Sequence, residues 1–393
     1  MGSFPHVRVE GGYRERGRQY GEQTGDRVRR SIEAYGEVFA HYTGWSWDEV
    51  RGEARRYADP IRRFGPQYLE EIEGIAEGAG VDLEDVLAIN VRTEVMFAAK
   101  ARLAAETAGN GRVDGCSSFA VLPEASADGH TLIGQNWDWL LHSFETVVVL
   151  ESRQDDGPDF VTVVEAGLLA KTGMNSSGIG LTTNALVTEH DVGEPGVPYH
   201  LVLRGMLDAE NMSDALAVAQ RGFRSSSANY LVASDDGVAV DVEAAPGDFS
   251  RMFLIFPSEG VLLHTNHFVS PAFDAKDVSL WVMPDSPFRL ARLRSAVGAQ
   301  AAVGKLSIED FQRFLADHAN HPSGVCCHPD ARMDPFDQGA TVASVLMDLD
   351  ARRMWVAYGH PCSNPYRELD YSEFLSKPSP VRKGGAGRER LPA

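Results

Sequence analysis

Asp114-Gly115-Cys116-Ser117-Ser118-Phe119-Ala120-Val121-Leu122 is followed closely by Thr131-Leu132-Ile133-Gly134-Gln135-Asn136-Trp137-Asp138. The two apolar runs read as the strands of a hairpin, with a cysteine opening the first and a carboxylate ending the second. That arrangement suits a nucleophile that becomes a new chain terminus, and the chain reads as a self-cleaving precursor. Attack of a thiolate on the carbonyl just before it needs a close backbone approach, and glycine, here Gly115, resists that geometry least. Cleavage between Gly115 and Cys116 frees an α-amine with a pKa of about 7.7 to 8.0, able to act as a base near neutral pH where a lysine ordinarily cannot. One residue then supplies both nucleophile and base. The plain alternative is a buried hairpin cysteine behind an ordinary Asp-Gly turn.

Composition narrows the function classes. With 393 residues, 43% of them hydrophobic, the chain can bury a large core as one big domain or two smaller ones. A formal net charge of -19, with no basic stripe outside the last residues, argues against nucleic acid as a partner. Met1-Gly2-Ser3-Phe4-Pro5-His6 carries no apolar run of signal-peptide length, and no segment approaches the roughly 18 apolar residues of a membrane span. A cytoplasmic protein with no membrane partner is the expectation. Cys116, Cys326, Cys327 and Cys362 include a vicinal pair and no secreted-type spacing, which predicts free thiols.

The texture of the chain changes near residue 105. Before it, Tyr13 to Tyr42 and Tyr68 to Gly80 have helical periodicity, and Asp82-Leu83-Glu84-Asp85 reads as a capped helix start. The first hundred residues are expected to be mainly helix. Ala105 to Arg112 is small, polar and glycine-containing, an exposed linker into the cleavage site. After Cys116 come strand-like runs at Thr146 to Glu151, Phe160 to Glu165 and Ile179 to Asn184. Helices are expected at Pro198 to Leu207, Met212 to Arg221, Pro287 to Val297 and Ile308 to Leu315, with strands at Tyr230 to Ala233, Val238 to Val242, Met252 to Phe256, Ala340 to Met347 and Met354 to Ala357. Such blocks predict layered α+β packing on a mostly antiparallel sheet, not a doubly wound fold. Three regions follow: a helical N-terminal chain or propeptide over 1–115, a catalytic region over 116–376, and a disordered Pro/Gly/Lys/Arg tail over 377–393.

Asp114-Gly115-Cys116-Ser117-Ser118, Gly134-Gln135-Asn136-Trp137-Asp138, Gly173-Met174-Asn175-Ser176-Ser177-Gly178-Ile179-Gly180 and His264-Thr265-Asn266-His267 together resemble the isopenicillin N acyltransferase family of N-terminal-nucleophile hydrolases. The resemblance runs from the helical N-terminal piece to roughly Pro361-Cys362. It implies a four-layered αββα sandwich with a helical N-terminal segment, autoproteolysis at Gly115/Cys116 and an α/β heterodimer. It further implies a cysteine thioester acyl-enzyme with no cofactor. In that picture Cys116 is the nucleophile and Asp138 holds its amine. Asn266 donates to the oxyanion, a role in which losing one donor costs about 2.7 to 4 kcal/mol. Asn184 resembles an asparagine that joins the oxyanion site in bile-salt hydrolases. Arg289, in Asp285-Ser286-Pro287-Phe288-Arg289, resembles an arginine near the nucleophile, where a cation lowers the thiol pKa. Each has a plainer reading: a capping aspartate, a loop asparagine, a strand-end asparagine, an amphipathic helix face. Gln135 stands where bile-salt hydrolases carry arginine, which disfavours bile-salt hydrolysis.

A rival constellation is His318, His321, Cys326, Cys327 and His328, since His and Cys clusters can bind zinc. The spacing argues against it: there is no C-x2-C pair, and adjacent cysteines make awkward tetrahedral partners. No metal is therefore expected. Two function classes stay open. One is an enzyme cleaving or forming the amide bond of a small N-acylated molecule, with water, an amine or an acyl thioester as co-substrate. The other is a zinc-stabilised or non-catalytic binding protein with Cys116 structural. Whether copies of the chain form a homo-oligomer is also left open.

Overall fold

The expected hairpin forms, with Ser117 opposite Asn136 and Val121 opposite Leu132. The computed structural model describes residues 2–106 and 115–376. Residues 107–112 of the expected linker and the whole 377–393 tail lie outside the described residues.

In chain order, β1 (His6–Gly11) leads into α1 (Tyr13–Thr43), α2 (Trp47–Arg55), α3 (Ala58–Phe64), α4 (Pro66–Ala79), α5 (Leu83–Asn90) and α6 (Arg92–Glu106). The hairpin is β2 (Ser117–Val121) and β3 (Leu132–Leu140), followed by α7 (Ser143–Thr146), β4 (Val147–Gln154), β5 (Phe160–Glu165), β6 (Thr172–Asn175) and β7 (Ile179–Ala185). Next come α8 (Tyr199–Leu207), α9 (Met212–Gln220), β8 (Ala228–Ser234), β9 (Val238–Ala244), β10 (Met252–Ile255) and β11 (Val261–His264). The chain continues through α10 (Ser279–Val282), α11 (Ser286–Ala301), α12 (Ile308–Phe314), β12 (Gly339–Asp348), β13 (Arg353–Tyr358) and β14 (Arg367–Asp370).

The strands make an eight-stranded sheet, β1-β4-β5-β6-β7-β8-β9-β10, and a six-stranded sheet, β11-β2-β3-β12-β13-β14. Alternation decides which face of each strand meets what. On the smaller sheet, Phe119, Val121 and Leu132 face α11 and α12, packing on Leu293, Val297 and Phe311. The opposite face meets the larger sheet. There a Cβ at Gly180 of β7 would lie 2.6 Å from Leu349 and 2.9 Å from Ile133. Gln135 Oε1 accepts from the Thr183 N–H across the same gap at 2.7 Å. Beyond the larger sheet lies α8, whose Tyr199 hydroxyl meets Thr183 Oγ1. Helix, sheet, sheet and helix thus stack as a four-layered αββα sandwich.

The first hundred residues are helical with one exception. β1 lies parallel to β4, pairing His6 with Val149 and Gly11 with Gln154, and its Val7 and Val9 are buried. Six residues of alternating character were too short a signal beside the long helix that follows. The N-terminal region is therefore built into the large sheet. Asn90 Nδ2 donates to Gly167 O at 2.8 Å, and Glu94 Oε1 accepts from the Tyr199 N–H at 2.7 Å.

Candidate active site

Cys116 immediately precedes β2 and is 4% exposed. It shares a small buried cavity with Gly115, Asp138, Lys171, Arg92 and Phe97. β3 delivers Asp138 to this cavity, opposite Thr341 of β12, and the Thr341 hydroxyl donates to Asp138 Oδ1 at 2.6 Å. A hairpin followed by a third antiparallel strand thus sets a thiol beside a buried carboxylate whose orientation is fixed from behind.

The Ser-x-x-Arg segment opens α11, and both of its polar ends serve the cavity. Ser286 Oγ accepts from the Asn266 N–H at 2.6 Å. Arg289 Nε donates to Asp285 Oδ2 at 2.6 Å, leaving the rest of the guanidinium directed at Cys116 and its neighbours. Its Nη1 donates to the Cys116 carbonyl at 2.7 Å and to Ser117 Oγ at 3.1 Å, and its Nη2 to Asn266 Oδ1 at 3.0 Å. Asn266 Nδ2 donates to Ala185 O at 2.8 Å. An amide nitrogen carries two N–H groups, so that bond leaves a second donor. Gly115 lies against this pair: an added Cβ would sit 2.1 Å from Asn266 Oδ1 and 2.6 Å from Arg289 Nη2.

Asn184 belongs to the facing sheet. Its Oδ1 accepts from Ser118 Oγ at 2.6 Å and from Asn229 Nδ2 at 3.1 Å, while its own buried Nδ2 has no hydrogen-bond partner among the described residues. Ser118 stands two residues after Cys116, so the orphan donor is tied to the strand that Cys116 leads into. Cys116, Asp138, Asn266 and Arg289 are brought together directly; Asn184 is linked through Ser118.

Sequence reading missed Lys171. It is 5% exposed, lies over the Trp137 ring at 4.7 Å, and shares the Cys116 cavity. Burial lowers its pKa to about 8, with the Arg92 charge pushing the same way and Cys116 pulling against it. A single cation in the apolar stretch from Ala166 to Met174 was the available signal. Arg92 reaches the same place from α6 and pairs with buried Glu165 at 3.4 Å.

The Cys116 thiol is shifted upward, chiefly by burial, with Asp138 adding to the rise. Lys171, the Asp138 N–H and Arg289 pull it down without overcoming burial. The expectation that a nearby arginine lowers this thiol holds for the direction of Arg289's own effect, but desolvation wins in the intact chain. Together these groups can hold an acyl group on sulfur, with cationic and amide donors around the carbonyl that carries it.

The sequence family described as acyl-coenzyme A:6-aminopenicillanic acid acyl-transferase matches residues 125–362. The acyl-coenzyme A:6-aminopenicillanic-acid-acyltransferase 40 kDa form of Emericella nidulans is 26% identical over 365 residues, 92% of this chain and 94% of that one. An uncharacterized protein of Archaeoglobus fulgidus is 24% identical over 328 residues, 75% of this chain and 52% of that one. Among solved structures, a conjugated bile acid hydrolase from Clostridium perfringens aligns at 13% identity over 67% of this chain and 94% of that chain, with a TM-score of 0.46. Penicillin V acylase from Agrobacterium tumefaciens aligns at 14% identity over 67% and 88%, with a TM-score of 0.39. The family match covers more than half of the sequence, and the chain belongs to the acyl-coenzyme A:6-aminopenicillanic acid acyl-transferase family.

Proposed function

We propose that this chain is a self-activated amidohydrolase or acyltransferase that handles the amide bond of a small N-acylated molecule through a thioester on Cys116. The observation that carries the reading is the crowding of Asn266 and Arg289 against Gly115, beside a buried cysteine and carboxylate. Only a glycine fits before the nucleophile, and beside it stand the Arg289 guanidinium and the Asn266 amide, whose Nδ2 keeps a second N–H suited to a carbonyl oxygen.

Activation comes first. In the intact chain the Cys116 nitrogen is an amide and cannot act as a base, so the thiol proton must go elsewhere. Lys171, with its pKa lowered to about 8, is neutral often enough near neutral pH to take it. The sulfur attacks the Gly115 carbonyl carbon, the Gly115–Cys116 C–N bond breaks as its nitrogen is protonated, and Gly115 is left as a thioester on Cys116. Water hydrolyses that thioester, freeing a Gly115 carboxylate and the Cys116 thiol and amine. Residues 1–115 and 116–393 then form an α/β heterodimer.

Turnover repeats the chemistry on an incoming molecule. The Cys116 amine, held by Asp138, takes the thiol proton and returns it to the leaving amine. Asn266, with Asn184 beside Ser118, donates to the oxyanion. Water as acceptor gives hydrolysis; an amine gives acyl transfer. By analogy with the names of its relatives, an acyl thioester donor and an amine of the 6-aminopenicillanic acid type are the first pair to try.

Intact-mass spectrometry of the wild type beside Cys116→Ala tests the reading. Wild type should separate under denaturing conditions into two pieces meeting at Gly115 and Cys116, and release amine from N-acyl amides; the variant should stay whole and inactive. A wild-type chain that remains intact and turns over no N-acyl amide or acyl thioester would overturn it.

A further inference from the structure

Away from the Cys116 cavity, His318, Cys326, His328 and Cys362 converge so that their candidate ligand atoms all lie within 4.8 Å of one another. His318 Nε2 is 3.1 Å from His328 Nε2. Cys326 Sγ is 3.6 Å and Cys362 Sγ 3.5 Å from that same nitrogen. An imidazole nitrogen offers a single N–H or a single lone pair, directed in the ring plane. Three polar atoms around one such nitrogen exceed what its hydrogen bonding can satisfy. A cation at the centre of the four resolves the crowding, because each ligand then points its lone pair inward.

The three edges that meet at His328 Nε2 suit a small tetrahedral cation. Zinc bound tetrahedrally at about 2.0 to 2.1 Å from nitrogen and about 2.3 Å from sulfur has edges of roughly 3.3 Å between nitrogens and roughly 3.6 Å between nitrogen and sulfur. The observed edges of 3.1, 3.6 and 3.5 Å fall on that pattern. We propose that His318, Cys326, His328 and Cys362 form a closed two-cysteine, two-histidine site for a zinc ion. The donor set suits zinc over the harder cations. Binding deprotonates both thiols, releasing two protons to solvent and leaving a neutral cluster of one dication and two thiolates. With four protein ligands the site has no open position, so it is structural.

The weak point of the sequence pattern was the adjacent pair Cys326-Cys327. The fold separates them: Cys326 joins the cluster, the Cys327 N–H donates to Thr341 Oγ1 at 2.9 Å, and Cys362 arrives from beyond β13. Cys326 N–H also donates to Asp317 O at 3.0 Å, and Asn136 Nδ2 donates to Leu315 O and Val325 O, both at 2.8 Å. The ion therefore anchors the backbone that holds Thr341, whose hydroxyl orients Asp138. Its role is positioning.

The test is metal content of the full-length protein, made without an affinity tag that binds metal and kept reduced. Zinc should be found at one equivalent per chain in wild type and in Cys116→Ala, and should fall by roughly tenfold or more in Cys362→Ser after dialysis against a chelator. Replacing zinc by cobalt should give the intense visible bands of a tetrahedral ion and sulfur-to-cobalt charge transfer, both lost in Cys362→Ser. Equal metal in wild type and Cys362→Ser would overturn the proposal. So would reduced wild type that binds neither ion, or a Cys326–Cys362 disulfide in freshly purified protein.

Discussion

Gly115 is where backbone chemistry and site geometry meet. Its Cα faces Asn266 and Arg289 so closely that the smallest side chain would collide with both. Neither neighbour can yield easily: Asn266 is held by Ala185 O and by Ser286 through its N–H, and Arg289 is clamped by Asp285. Gly115→Ala should fold, because Gly115 lies in neither a helix nor a strand, yet shift the carbonyl of the proposed cleavage bond relative to Cys116. A misplacement of about 1 Å can cost roughly 100-fold in rate. The fraction cleaved over time, read by intact mass alongside circular dichroism, should drop by that order with an unchanged spectrum. Cleavage at the wild-type rate would mean that the crowding has no bearing on the reaction.

Glycine acts differently in the helices. α1 and α4 approach through Gly17 and Gly21 on one side and Gly74 and Gly78 on the other; a Cβ at Gly78 would lie 2.0 Å from Arg18 O, and one at Gly74 2.2 Å from Arg14 O. Backbone atoms cannot swing aside like side chains. Gly78→Ala should cost at least about 2 kcal/mol, as overpacking does. Gly52 of α2 has nothing within 4 Å of its added Cβ, so Gly52→Ala should instead gain about 0.5 to 1 kcal/mol from helix propensity. Urea midpoints that move the same way in both variants would contradict this account. The same contrast explains what could be read from sequence. The periodicity of α8, α9, α11 and α12 and the alternation of β7 through β9 are local, so their positions were legible within a few residues. The glycine contact, the pairing of β1 with β4 and the meeting of Cys326 with Cys362 join distant segments, and no local pattern encodes such closeness. At the site, Cys116 and Asp138 were legible because one hairpin carries both, whereas Lys171 was hidden in a connection between β5 and β6.

Across the whole molecule, residues 2–106 are joined to the rest through buried carboxylates that titrate in opposite directions. Glu165 accepts from the Tyr35 hydroxyl at 3.0 Å and pairs with Arg92. Burial raises its pKa, but Arg92 and His142 outweigh burial and lower it to about 2. Its folded pKa lies below the ordinary carboxylate value, so its contribution is present at pH above that value and is lost as pH falls toward 2. Glu94 of α6, held by the Tyr199 N–H and Ser226 Oγ, is pushed by burial to about 7. Asp241 is raised by burial to about 6, against His264 and Asn229. A carboxyl with a raised folded pKa favours the fold while protonated, and that contribution declines as pH climbs through 6 and 7. These groups should therefore lower the thermal midpoint both as pH falls toward 2 and as it climbs through 6 and 7. Glu94→Gln, which cannot ionise, should flatten the alkaline limb by a few degrees while leaving the acid limb in place. Calorimetric melts from acid to mildly alkaline pH decide it: parallel alkaline declines in wild type and Glu94→Gln would show that the α6 joint is not what titrates. Because α6 belongs to the N-terminal piece of the proposed cleavage, a joint that loosens above neutral pH also predicts that the two pieces, if cut at Gly115, separate more readily under alkaline than under mildly acidic conditions.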